Sequence, residues 1–150
     1  MHAWELAEKV LDLSQYSALI AVGGDGTLHE VINGMLMRQD KLKLPIAFVP
    51  NGSGNDLVGS LGCRDLDQAL DWIAKGDVIK MDLNKILLDA DSEEQIPPEE
   101  MQQRFRYSAT SASLGFIAKV VHNAIHHKPY FGKLSYGTSG AASFFSNYPD

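Results

Sequence analysis

At 150 residues, 45% of them hydrophobic and 21% charged, the chain suits one ordinary domain or two small ones and can build a core. Its net charge of -6 has one local source, the six acids Asp89, Asp91, Glu93, Glu94, Glu99 and Glu100, and no basic stripe interleaved with stacking aromatics marks a nucleic-acid binder. No apolar run approaches the roughly 18 residues that span a bilayer; Cys63, the single cysteine, excludes an intrachain disulfide and fits an intracellular setting.

Residues 1–13 carry Trp4, Leu6, Ala7, Val10 and Leu11 at helical spacing, which predicts an opening helix. The apolar run Ala18 to Val22 then stops at Gly23 and Gly24, and Asp25, Gly26 and Thr27 follow. Leu28, Val31, Ile32, Met35 and Leu36 form one apolar helical stripe that ends near Met37 to Gln39. A strand, a glycine turn and a helix start make a phosphate-binding layout. Glycine lets an anion approach main-chain N–H groups, and the helix presents its unpaired N–H groups and positive dipole end. Asp25 is out of place beside phosphates unless a cation lies between or the acid serves as a base; the plain alternative is a helix cap. Glu30, one turn in, is near enough to meet a ribose hydroxyl, or is a first-turn acid favoured by the helix dipole. His29 reads as a surface or packing residue.

The pattern repeats. Leu44 to Val49 is a second apolar run, ending in Pro50-Asn51-Gly52-Ser53-Gly54-Asn55-Asp56 before the apolar Leu57, Val58 and Leu61, with Gly62 closing the helix. Two such turns at the carboxyl ends of parallel strands face one crevice, where open α/β sheets bind ligands. Asp65 with Gln68 makes a capping-box start for a further helix, with Leu66, Ala69, Leu70, Trp72 and Ile73 on its buried side and Gly76 at its end. Val78 to Leu88 alternates as a strand does, so a domain boundary is expected near Gly76. The acidic stretch 89–100, with Pro97 and Pro98, reads as a loop, and Arg104 to Ser113 resumes strand character. A helix is expected over Phe116 to His127; His122 and His126 stand four apart on it, but no third zinc ligand is evident. The bases Arg104, Arg106, Lys119, Lys128 and Lys133 give the C-terminal part a face for phosphates or anionic lipid heads, or simply a solvated one.

Gly23-Gly24-Asp25-Gly26-Thr27 followed by Pro50-Asn51-Gly52-Ser53-Gly54-Asn55-Asp56 resembles the paired motifs of the diacylglycerol kinase catalytic domain, a superfamily that includes sphingosine, ceramide and bacterial lipid kinases. Neither motif has the Gly-x-Gly-x-x-Gly of a dinucleotide fold or the Gly-Lys-Ser/Thr of a P-loop. His2-Ala3, Asp82-Leu83, Ser113-Leu114-Gly115-Phe116-Ile117-Ala118 and the run Phe131 to Tyr136 also match the family's pattern. The resemblance covers nearly the whole chain and about half of a family catalytic unit. It implies an α/β fold: a Rossmann-like (NAD kinase/phosphofructokinase-like) nucleotide-binding domain at 1–76 lacking its first strand, then the beginning of an antiparallel β-sandwich lipid-substrate domain at 77–150.

By the same resemblance the chain is part of an ATP-dependent lipid kinase. ATP is expected at Gly23, Gly24, Asp25, Gly26, Thr27, Glu30, Gly52, Ser53, Gly54 and Asn55, and Mg²⁺ at Asp25, Asp56 and Asp82. Asp25 is the expected catalytic residue. Asp56 reads equally as a helix cap and Asp82 as a solvated strand residue. The implied partners are ATP and a membrane-embedded lipid alcohol, met by a cytoplasmic protein at the membrane periphery. Sphingosine kinases carry acids in the helix after Gly-Phe-Ile-Ala, whereas residues 116–127 hold none here, which argues for a neutral or different lipid alcohol. Lys128 and Lys133 align only loosely with the family's phosphate-facing bases. An ATP-binding regulatory or pseudokinase module, and the phosphofructokinase or NAD kinase line that shares Gly-Gly-Asp-Gly, are the other readings. The isolated 150 residues are expected to have little activity and to expose apolar surface.

Overall fold

Both apolar runs become strands, and they pair. β1 (Leu19–Gly23) and β2 (Ile46–Pro50) run parallel in the register Leu19↔Ile46 through Gly23↔Pro50. The register is what matters for function: both strands end at the same level, so both glycine-rich turns leave the sheet side by side. Pro50 occupies the last position of its strand, where a missing N–H disturbs the ladder least.

The computed structural model describes residues 2–10, 12–63, 65–88, 104–113, 117, 118, 120–122 and 124. They fall in two compact units, Met1–Thr110 and Ser111–Asp150. In the first unit the order is α1 (His2–Glu5) continuing as a π-helical turn (Leu6–Val10), a 3₁₀ turn at Leu13–Gln15, β1, α2 (Asp25–Leu36), β2, α3 (Asp56–Ser60), α4 (Leu66–Lys75), β3 (Asn84–Leu87) and β4 (Phe105–Ser108). In the second unit, residues 117, 118, 120–122 and 124 are helical, on the stretch where the sequence predicts a helix.

The core forms where α2 lies across the sheet. Leu28, Val31 and Ile32 of α2 join Ala21, Phe48, Leu57, Val58, Cys63 and Ala69 in one buried cluster. Each large apolar side chain buried this way stabilises the fold by about 1.5–3 kcal/mol. The opening helix sits directly on α2, because a Cβ at Gly34 would overlap the Trp4 carbonyl oxygen. Arg38, 8% exposed, serves the far end of that helix: its Nη1 donates to the carbonyls of Ala7 at 2.9 Å and Glu8 at 3.3 Å, while Nε donates to Asp40 at 2.9 Å. The expected single helix over 1–13 is therefore an α-turn that widens to π, with a buried guanidinium taking up carbonyls at its end.

The ends of α4 are as the sequence predicts. The Asp65 carboxylate accepts the Gln68 N–H at 2.9 Å, and Gly76 closes the helix at φ +70°. Its apolar side differs: only Ala69 is buried, and Leu66, Leu70 and Trp72 are exposed. Ala69, Trp72 and Ile73 of α4, with Phe48, Leu61 and Ile79, border an open apolar cavity of about 700 Å³. None of the glycine-turn residues lines it.

The strand expected over Val78 to Leu88 is confined to β3. It exists where β4 pairs with it, antiparallel, from Asn84↔Ser108 to Leu87↔Phe105. Residues 77–83 have no strand neighbour among the described residues, and Val78 and Ile79 are each 65% exposed. Alternation alone does not make a strand without a ladder to join. The expected strand over Arg104 to Ser113 is likewise only Phe105–Ser108. The chain is thus mixed α/β, with a small parallel sheet and an antiparallel pair. The acidic stretch 89–100, Gly115, Phe116, Lys119, His126, His127, Lys128 and the run Phe131 to Tyr136 with Lys133 lie outside the described residues. Among the described residues no helix is long and apolar enough to cross a membrane.

Candidate active site

The two turns touch backbone to backbone. A Cβ at Gly52 would overlap the Cα of Gly24, and one at Gly24 would stand 3.1 Å from the Cα of Gly52. The Asn51 N–H donates to the Gly23 carbonyl at 2.6 Å, closing the pair. Only glycine permits this approach.

Each expected site residue has a definite place. Gly23 ends β1, and a Cβ there would lie 2.5 Å from Thr27 Oγ1. Gly24 is the N-cap of α2, in extended conformation and with no side-chain cap. Asp25, Gly26 and Thr27 form the helix's first turn; the Thr27 N–H donates to the Gly24 carbonyl at 2.9 Å, and the N–H groups ahead of it have no acceptor within the helix. Such an uncapped start can hold an anion. Gly52, Ser53, Gly54 and Asn55 make the second turn. Asn55 takes the left-handed conformation, φ +59°, which Asn tolerates better than other side chains. Its amide clamps the turn: Oδ1 accepts the Gly52 N–H at 2.9 Å, and Nδ2 donates to the Gly52 carbonyl at 3.1 Å.

Asp25 is a cap, though of the neighbouring helix. Its Oδ2 accepts the Asp56 N–H at 3.1 Å and its Oδ1 the Leu57 N–H at 3.3 Å, so it closes the start of α3 from 31 residues away. The cap position of α3 itself belongs to Asn55, and Asp56 is the first helical residue. Asp25 Oδ2 and Asp56 Oδ1 flank one small space, 3.2 and 3.3 Å from where a Cβ of Gly54 would stand. Asp82 is exposed, in the segment ahead of β3. Among the described residues, no three His, Cys, Asp or Glu side chains gather into a metal-binding group.

Glu30 has a partner within the protein: its Oε2 accepts the Ala3 N–H at 3.1 Å, fixing the start of the opening helix. Partial desolvation, then the nearby Arg106 guanidinium, holds the His29 imidazole below its ordinary pKa, with Glu30 opposing. The sequence reading passed over Asn33, which is 0% exposed and hydrogen-bonded to β4. Its only signal was an amide inside an apolar helix, where Asn is disfavoured unless its side chain has bonds to make.

A family model of the diacylglycerol kinase catalytic domain matches residues 1–86, more than half of the 150. Among curated proteins, the chain is similar to sphingoid long-chain bases kinase 1 of Arabidopsis thaliana, 34% identical over 148 residues, covering 95% of this chain and 18% of that protein. It is similar to sphingosine kinase 1 of the same plant, 47% identical over 64 residues, covering 41% of this chain and 13% of that protein. It is similar to a diacylglycerol kinase of Staphylococcus epidermidis, 41% identical over 81 residues, covering 53% of this chain and 25% of that protein. The chain thus spans a quarter or less of the length of these relatives. The matched segment contains both glycine turns and the contact between them, and the chain belongs to the diacylglycerol kinase catalytic domain family.

Proposed function

We propose that the protein transfers the γ-phosphoryl group of ATP to the hydroxyl of a lipid alcohol, either diacylglycerol or a sphingoid- or ceramide-like lipid. The observation that carries this is the direct contact of the two turns, Gly24 against Gly52, with Asp25 strung between them. The names of the relatives support the lipid acceptor.

In this reading the phosphates lie over the start of α2, held by N–H groups of Gly24, Asp25 and Gly26, with Thr27 and Ser53 adding hydroxyl donors. Gly23, Gly52, Gly54 and Asn55 shape the cradle, and Glu30 borders the ribose side. The lipid oxygen attacks the γ-phosphorus, its proton passes to the Asp25 carboxylate, and the bond to the β–γ bridging oxygen breaks to leave ADP. Positioning and electrostatics supply most of such a step. The paired oxygens of Asp25 and Asp56 around one small space suit Mg²⁺, a hard cation that takes few carboxylates and keeps its waters. Asp25 and Asp56 would hold it, Asp25 then positioning the metal in place of taking the proton, and when bound it would offset phosphate charge; Asp82 is not gathered with them into a three-acid group. The assignment of 1–76 to a Rossmann-like nucleotide domain and of 77–150 to the start of a lipid-side β-sandwich belongs to the same proposal, as does peripheral contact with the membrane that carries the lipid.

The test is transfer of labelled phosphate from ATP with Mg²⁺ to diacylglycerol, monoacylglycerol, ceramide and sphingosine in mixed micelles, beside ATP-binding calorimetry. The acid-free stretch 116–127 ranks the neutral alcohols first. With Asp25→Asn, turnover is expected to fall by about 10²-fold or more, as for loss of a general base, with ATP affinity changed far less. ATP binding without transfer to any of these lipids would reject the kinase reading in favour of a regulatory module.

A further inference from the structure

Asn33 stands two turns into α2 and is fully buried, and its amide does what a residue of a neighbouring strand would do. Oδ1 accepts the Tyr107 N–H at 2.7 Å, and Nδ2 donates to the Tyr107 carbonyl at 2.8 Å. Nδ2 also donates to the His29 carbonyl one turn back, at 2.8 Å. Tyr107 lies opposite Lys85 in the β3–β4 pair, yet its own N–H and carbonyl turn away from β3 to this amide. One side chain therefore joins the helix that begins at the glycine turn to the backbone of the antiparallel pair.

The chemistry at this point is narrow. An apolar side chain would leave the half-buried Tyr107 N–H and carbonyl without these partners, and a carboxylate offers no donor to the carbonyl. Gln carries the amide one methylene too far. Stability alone could be met by filling the space and pairing Tyr107 with another strand; what Asn33 adds is a fixed spacing between α2 and β4.

We infer that Asn33 is a positioning residue for phosphoryl transfer. It touches neither nucleotide nor acceptor, and sets the β3–β4 pair, on the acceptor side, against the helix that presents the phosphate turn. The inference rests on the kinase reading above, with residues 77–150 on the lipid side.

Two measurements test it. In Asn33→Asp, which keeps the shape and loses the donors, kcat for lipid phosphorylation is expected to drop up to ~10²-fold, as for an ångström-scale misplacement, with KM for ATP within about twofold. An unchanged kcat would overturn it, as would a KM for ATP that rises in step with a loss of thermal stability. The second measurement uses the unsubstituted protein: hydrogen exchange at the Tyr107 amide, by NMR, with and without ADP. Slow exchange that slows further when ADP binds is expected; exchange at the rate of an open loop, or protection indifferent to ADP, would overturn the inference even if the variant failed to fold. Failure of the kinase reading shows separately, as no transfer to any lipid by the unsubstituted protein while the Tyr107 amide still responds to ADP.

Discussion

The two glycine turns look alike in sequence and are held by opposite means. The first is made by what is missing: Gly23 leaves room for Thr27, Gly24 leaves room for Gly52, and neither needs a left-handed backbone. It is anchored by burial, since α2 runs 12 residues and six of them are buried. The second is made by what is added. Asn55 clamps it through two hydrogen bonds from a left-handed backbone, and the five-residue α3 behind it starts on a carboxylate lent by the first turn. A short helix of this kind has little stability of its own. The second turn thus depends on the first, and substitutions should reveal that dependence in order of size.

The largest effect is expected at Gly52. A methyl there meets backbone, the Cα and N of Gly24, so no rotamer change can relieve it. Gly52→Ala should destabilise by about 3 kcal/mol, the upper end for overpacking, and abolish ATP binding. Gly23→Ala meets the side chain of Thr27 instead, so adding Thr27→Ala should restore most of its stability. Urea unfolding of these variants measures the contrast; a second-site rescue of Gly52→Ala by any nearby side-chain truncation would break it.

Next in size is Asn55. Asn55→Ala loses the clamp and forces a left-handed alanine, a loss of about 1–2 kcal/mol for the conformation alone. Asn55→Gly restores the conformation without the clamp, so its unfolding midpoint should lie between those of the parent and Asn55→Ala. If the glycine variant is no more stable than the alanine one, the turn is held by hydrogen bonds and the backbone conformation contributes nothing.

What the sequence revealed of this arrangement was its local half. Apolar runs that stop at glycines, with helical spacing beyond, gave both strand–turn–helix units with nearly their observed ends, because each signal lies within a few neighbouring residues. Which groups would meet across the turns was not legible. Asp25 bonds to backbone 31 and 32 residues ahead, and Asn33 to backbone 74 residues ahead. Those pairings depend on parallel strands ending level and on β4 arriving beside α2, and no short-range pattern encodes either. The apolar side of α4 was legible as a stripe, but a stripe does not say whether anything covers it. Residues 78–83 alternate without forming a strand for the same reason: the pattern describes a surface, and pairing needs a partner.

The smallest effect in stability is expected at Gly26, and it separates the glycines of the first turn by purpose. Gly26 sits inside the first turn of α2, exposed, without a positive φ, and a Cβ there would meet nothing within 4 Å. No protein atom asks for glycine at this position. Alanine should instead stabilise the helix by about 0.4–1 kcal/mol, because it has less freedom to lose on folding. The N–H that would face a phosphate is kept. If the empty space beside Gly26 is where the nucleotide's phosphates lie, Gly26→Ala should raise the unfolding midpoint and weaken ATP binding together. Thermal unfolding beside calorimetry reads both. A more stable protein with undiminished ATP affinity would put the phosphates elsewhere, and the reading of the first turn as the cradle would fail with it.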